Sequence, residues 1–401
     1  MKSWFFPIFF LIYLFSDQLL SVILSLTGMS VQSGMLQKIF IPIAVISYVI
    51  LVSDLMKLRN PNVRKVLLIT GGFAILLFLS SFTYSPVPAD YTARLLRFLS
   101  ICVAGVAVGI HLASYPCFDK IEKLLPFFIF LFLYVLGSYG MEAALNNTII
   151  YEGGEGTGVG LNYQAFSYYM VIEYTYCLYF LFFSSIKGSR YYRTMVIPVA
   201  IMCIISAALC ITGGGRGPFV YLVVVTLVFL VFNGATNKIF SRQMWMVPVL
   251  IIFFVLAASR LQVFDSFGFM RVSESMTEDA TRPVLYAKAW ASFLESPIIG
   301  HGFGSIWWTV GWPCHNMFLD LLAEGGIIGT GVVLYIFFFT GKFLWKNARR
   351  QPWLFLILVV YLEAVVENFF SGYWVSCQAI WFTMAFAITY SRKAKEVSLI
   401  K

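Results

Sequence analysis

One stretch of the chain collects side chains suited to group transfer. Arg282 to Gly329 reads RPVLYAKAWASFLESPIIGHGFGSIWWTVGWPCHNMFLDLLAEGGIIG and holds His301 and His315, two of the three histidines. His315 is followed by Asn316, then by Asp320 and Glu324, spaced four apart so that both carboxylates share one helix face. A neutral imidazole at a membrane interface can take a proton from an attacking hydroxyl near neutral pH. Asn316 could orient that imidazole or bond a sugar hydroxyl, and Asp320 and Glu324 could pair with arginines. Cations come from elsewhere. Arg216 stands in TGGGRGP, where glycines free backbone amides and Pro218 suits a first helical turn. Amides, a helix N-terminus and a guanidinium together make an anion site; the competing reading is a tight hairpin that contains an arginine. Arg94 and Arg97, three apart on one helical face, form a second cationic patch, aimed at a phosphate or snorkelling to the interface.

Other reactive side chains fit less well. Cys314 precedes His315, but neighbours in sequence point apart, so a Cys-His nucleophile is not expected. His301 lies in a glycine turn, and His111 lies toward the inner end of an apolar segment. Glu173, Glu363 and Glu367 are carboxylates within apolar segments, suited either to relaying protons or to pairing with arginines. Glu278-Asp279 lacks DxD spacing, and no His/Asp/Glu group has metal-ligand spacing, so neither a metal nor another cofactor is expected.

These residues must be positioned by a membrane protein. Mean hydropathy is +0.83, 60% of residues are hydrophobic and 12% are charged, about half the charge of an ordinary soluble domain. About 20 mostly apolar residues cross a bilayer. Twelve segments are candidates: 4–26, 37–56, 66–83, 93–112, 121–140, 162–186, 194–212, 217–233, 244–260, 314–340, 352–370 and 374–391. The first is read as an uncleaved span, because no small-x-small site follows it. Lysines and arginines concentrate in alternate loops, which puts both termini in the cytoplasm and the loop 261–313 outside. The net charge of +9 is this sorting signal and implies no nucleic-acid partner. The seven cysteines form no disulfide framework. The reading is therefore an all-α polytopic protein of about twelve spans. It is a single membrane domain over 1–401, with a large outward loop at 261–313 that contains short helices. In that loop Thr281 and Pro283 open a helix and Ser296-Pro297 close it. Leu285, Ala289, Phe293 and Leu294 share a face, which predicts a helix lying on the membrane surface. Trp307, Trp308 and Trp312 would anchor the loop at the interface.

These residues resemble the O-antigen ligase and polymerase superfamily of bacterial envelope proteins. The resemblance rests on Arg282 with its helix, on the turn Pro297-Ile-Ile-Gly300-x-Gly302-x-Gly304, and on His315-Asn316-x-x-Leu319 running into Glu324-Gly325-Gly326-Ile-Ile-Gly329. Gly214-Gly215-Arg216-Gly217 matches a further element, without its serine. The resemblance implies a metal-independent glycosyltransferase of the GT-C type at the outer side of the bacterial inner membrane. Its donor would be a glycan on undecaprenyl diphosphate, and its acceptor lipid A core (ligase) or another lipid-linked glycan (polymerase). It would have Arg216 and Arg282 bind the diphosphate, Arg94 or Arg97 assist, and His315 act as base. One departure stands out. Ligases often carry His-Pro-His-Asn where this chain has Trp312-Pro313-Cys314-His315-Asn316, which weighs toward a polymerase as the alternative while the ligase stays the first reading. A transporter or flippase is the rival class: it suits twelve spans and the buried carboxylates, but not the polar residues gathered in one loop.

Overall fold

A computed structural model describes residues 4–27, 33–57, 61–84, 95–96, 98–145, 163–236 and 281–399. Arg94, Arg97, the expected span 244–260 and the loop residues 261–280 lie outside the described residues. Those described form helices, with no strand among them. In chain order they are α1 (Phe5–Leu14), α2 (Ser16–Thr27), α3 (Ser33–Lys57), α4 (Pro61–Tyr84), a π-helical turn at Phe98–Val103 leading into α5 (Ala104–Ser114), α6 (Phe118–Leu145), α7 (Tyr163–Phe183), α8 (Arg190–Thr212) and α9 (Arg216–Thr236). After the undescribed stretch come α10 (Thr281–Glu295), the short α11 (Ile306–Thr309), α12 (Met317–Ala348), α13 (Leu354–Phe370), a 3-10 turn at Trp374–Ser376 and α14 (Gln378–Leu399).

This is a helical membrane protein. Among the described residues, Pro61–Ser80, Phe118–Met141, Arg190–Thr212 and Met317–Ala348 are long and apolar enough to cross a bilayer. The expected first span comprises two helices, α1 and α2, bent by 72° at the break, which together are long and apolar enough to cross. The expected span 314–340 starts at Met317 and is broken inside: Gly326 sits at φ 55, ψ −160, which no helix accommodates.

The chain divides into two compact units. The first comprises Met1–Leu36, Cys117–Ser275 and Ala348–Val359. Here α7 packs closely on α8 and α9. Gly140 admits the Phe166 ring, whose Cζ lies 2.0 Å from where a β-carbon would stand. The fully buried Glu122 of α6 staples the turn after α7: its carboxylate accepts from the Tyr179 and Ser184 hydroxyls and from the Ser185 amide.

The second unit comprises Gln37–Pro116, Met276–Asn347 and Val360–Lys401. Its most extensive helix contact joins α5 to α14. Gly109 permits it, since a β-carbon there would stand 2.5 Å from the Phe382 carbonyl oxygen. An aromatic cluster fills the core: Phe73 lies 4.9 Å from Trp381 and 5.0 Å from Phe303, and Phe303 lies 5.5 Å from Trp374. Such ring pairs favour tilted and edge-on arrangements over sandwiches.

Helix α10 begins and ends where its Thr281, Pro283 and Ser296-Pro297 signals put it, but half of the face expected on the membrane is turned inward. Leu285 and Ala289 pack with Ile306, Val310, Cys314 and Ala323. Val284, Trp290 and Leu294 are the large apolar residues that this helix exposes.

Candidate active site

The break in α12 is made good by the glycine turn before it. A helix broken at Gly326 leaves donors after the break and acceptors before it without their usual partners. The amides of Ile327 and Ile328 donate to the carbonyls of Pro297 and Ile298 (2.9 and 3.1 Å), and the carbonyls of Ala323 and Glu324 accept from the amides of His301 and Gly302 (3.2 and 2.7 Å). The two glycine motifs are therefore halves of one hydrogen-bonded unit. A β-carbon on Gly300 would fall 2.5 Å from the Gly326 nitrogen, and one on Gly326 would fall 2.6 Å from the Gly300 nitrogen. Non-helical backbone within a spanning helix is tolerated when neighbouring protein satisfies it in this way.

His315 occupies the link between α11 and α12, immediately before the half-helix that ends at the break. Its φ of 55 makes it the one non-glycine residue with positive φ among the described residues. A left-handed backbone costs a non-glycine residue about 1 kcal/mol, and such strain persists where the surroundings enforce it. Three contacts do so. Asn316 Oδ1 caps α12, accepting from the amides of Phe318 (3.1 Å) and Leu319 (3.3 Å). The buried Asp320 accepts the Cys314 amide through Oδ1 at 2.8 Å. On the ring itself, Nδ1 donates to the Ser371 carbonyl oxygen at 2.7 Å. A carbonyl can only accept, so Nδ1 carries the proton, and in the neutral ring Nε2 is the basic nitrogen.

Glu324, also fully buried, plays a similar role one turn further along α12. Its Oε1 accepts from the Tyr373 hydroxyl (2.6 Å) and from the amides of Gly304 (3.0 Å) and Ile306 (3.4 Å). Asp320 Oδ2 and Glu324 Oε2 are buried and make no hydrogen bond. The carboxylates expected to meet arginines thus meet backbone amides and a tyrosine.

Arg282 reaches the same region from α10. Its Nη2 donates to the Phe370 carbonyl oxygen at 3.4 Å, one residue before the carbonyl that holds His315. Both carbonyls belong to the C-terminal end of α13, where unpaired acceptors and the negative end of the helix dipole favour a cation and a polarised N–H.

Arg216 belongs to the first unit and opens α9. The turn before it requires glycine: Gly214 has φ 78, and β-carbons on Gly213 and Gly215 would fall 2.4 and 2.8 Å from Ser167 side-chain atoms. The Gly215 amide donates to Ser167 Oγ at 3.2 Å. Arg216 thus stands at a helix start, but the glycine amides expected to be free for an anion are engaged, Gly213 with the Leu209 carbonyl, Gly214 with the Ile211 carbonyl and Gly215 with Ser167.

The remaining candidates have structural surroundings. Cys314 is buried and its thiol donates to the Leu285 carbonyl (3.6 Å), the posture of a packed thiol. His301 bonds the Ser292 carbonyl through Nε2 at 3.0 Å. His111 Nδ1 meets the buried Asp54 at 2.8 Å, a pairing the sequence had not suggested. Glu173 is fully buried, with neither carboxylate oxygen hydrogen-bonded. Sequence reading also missed Ser371 and Tyr373. Ser371 acts through its main chain, which leaves no mark in a sequence; Tyr373 could have been noticed only as a polar-tipped aromatic beside glycine at a helix end.

No curated protein matches the chain. Residues 201–335 match the family model for O-antigen ligase, Wzy_C, a span that contains Arg216, Arg282, His315, Asn316, Asp320, Glu324 and both glycine motifs, and this match supports the resemblance to the O-antigen ligase and polymerase superfamily.

Proposed function

We propose that this protein is a glycosyltransferase that moves a glycan from undecaprenyl diphosphate to an acceptor hydroxyl. It would work at the outer side of the bacterial inner membrane from a GT-C-type scaffold of about twelve spans, with both termini in the cytoplasm. The proposal rests on the pose of His315, whose Nδ1–H is committed to the Ser371 carbonyl so that Nε2 is the proton acceptor. The acceptor oxygen forms a bond to the anomeric carbon as the bond from that carbon to the diphosphate oxygen breaks. The hydroxyl proton passes to Nε2, and the electron pair of the broken bond leaves on undecaprenyl diphosphate. Attack opposite the leaving group inverts the anomeric centre. The negative charge that grows on the diphosphate calls for cations fixed in place beforehand. Arg282, oriented by the end of α13, supplies one, and the family resemblance gives Arg216 the same ligand, with Arg94 or Arg97 assisting. The chemistry as written needs no metal. Asp320 and Asn316 hold the backbone on either side of His315.

A polymerase, which joins one lipid-linked glycan to another, is the second reading, favoured by the lack of the upstream histidine that ligases often carry in the run before His315-Asn316. Purified protein would be given undecaprenyl-diphosphate glycan, alone or with lipid A core. Product only with lipid A core supports the ligase, and a ladder from donor alone supports the polymerase. Intact donor carried across proteoliposomes with no new glycosidic bond would overturn both in favour of a transporter.

A further inference from the structure

The ring of His315 is aimed by a main-chain carbonyl, and the turn that carries this carbonyl is fixed from two sides. On one side the amides of Ser371 and Gly372 both donate to the Glu367 carbonyl, at 2.8 and 3.0 Å, which ties the start of the turn to α13. On the other side Tyr373 leaves in an extended conformation, φ −122 and ψ 113, and is held through its side chain. Its hydroxyl donates to Glu324 Oε1 at 2.6 Å, and its ring stands edge-on to Trp307 with centroids 6.0 Å apart. Glu324 is fixed in turn by the amides of Gly304 and Ile306.

We propose that Tyr373 is a positioning residue for His315: its bond to Glu324 sets the turn whose Ser371 carbonyl orients the imidazole. One helix then governs both halves of the base. Through Asp320, α12 fixes the backbone at Cys314; through Glu324 and Tyr373, four residues further on, it fixes the acceptor that aims the ring. Both contacts are between protein groups. Their effect is to keep Nε2 in line with the acceptor hydroxyl, where a misplacement of about 1 Å can cost about a hundredfold in rate. The proposal rests on the reading of His315 as the base.

Tyr373→Phe tests it, because only the hydroxyl is removed and the ring packing stays. The expected result is a fall in kcat of about tenfold with KM for the lipid-linked donor unchanged. Placed in His315→Ala protein, the same substitution should cause no further fall, since a positioning residue has nothing left to position. General-base catalysis contributes about 100- to 10,000-fold, so the residual rate of His315→Ala remains measurable over long incubations. Donor binding, measured separately, is the control for folding. Full kcat in Tyr373→Phe, a rise in KM alone, equal falls in both backgrounds, or loss of donor binding in Tyr373→Phe would each overturn the proposal. The two readings fail separately: His315→Ala at full activity removes the base, whereas inactive His315→Ala beside fully active Tyr373→Phe removes only the role of Tyr373.

Discussion

Arg282 and His315 hang from neighbouring carbonyls: Nη2 of the arginine bonds Phe370 O at 3.4 Å and Nδ1 of the histidine bonds Ser371 O at 2.7 Å. The proposed cation and the proposed base are thus aimed by one helix end. A change in that end should disturb binding and chemistry together. Gly372 allows a direct trial, since a β-carbon there would stand 2.6 Å from Oδ1 of the buried Asn368. Gly372→Val is expected to raise the donor KM and lower kcat in the same protein, each by about tenfold. Steady-state kinetics over a range of donor concentration checks this; a change in one constant alone would contradict it.

Gly326→Ala should be costly. At φ 55, ψ −160 the backbone is in a region reserved for glycine, and the added carbon would meet Ile298 main-chain atoms at 2.5 Å. The expected loss is about 2 kcal/mol or more, read as a lower unfolding midpoint in detergent. Gly331, where a β-carbon meets nothing within 4 Å, is the control: Gly331→Ala should leave the midpoint unchanged or raise it.

Asp320→Ala would leave the Cys314 amide buried without its acceptor, a loss of about 1–3 kcal/mol. Asp320→Asn keeps an accepting oxygen and should lose less. If the role of Asp320 is to hold the residue before His315, kcat falls in Asp320→Ala while donor binding persists. Equilibrium donor binding beside turnover separates the two.

Arg282→Lys retains the charge but not the planar fork. If Arg282 grips a diphosphate, KM for the donor rises about tenfold in Arg282→Lys and further in Arg282→Ala. Arg216→Ala, measured by itself, should weaken donor binding in the same direction. Normal donor binding in either alanine variant would remove that arginine from the proposed site.

Cys314 adjoins His315, yet its thiol is buried against the Leu285 carbonyl. Cys314→Ser should retain turnover, and a thiol-alkylating reagent applied to folded protein should not inhibit it through this residue. Mass spectrometry of the alkylated protein alongside the assay checks both.

Local signals in the sequence were read well. Thr281, Pro283 and Ser296-Pro297 bracket α10, because caps and prolines act within a turn or two of themselves. Two residues of the α10 face expected on the membrane, Leu285 and Ala289, pack on protein instead, for a physical reason. Leu285 and Ala289 at helical spacing demand apolar surroundings, and lipid and protein interior meet that demand equally. The spacing of Asp320 and Glu324 correctly put them on one face of α12, but apart from the Tyr373 hydroxyl their partners are amides of Cys314, Gly304 and Ile306, which carry no side-chain signature. Gly325-Gly326 was visible within an apolar run that otherwise reads as one span. The break became evident only with the Pro297–Gly302 turn beside it, since each motif supplies the hydrogen bonds the other lacks.

The most direct test of the central claim measures His315→Ala for two properties in one preparation: equilibrium binding of undecaprenyl-diphosphate glycan and the rate of glycan transfer. If His315 is the base, transfer falls about a hundredfold or more while donor affinity stays within a factor of about two. Transfer at the unsubstituted rate, or donor affinity lost in parallel with the rate, would contradict the assignment.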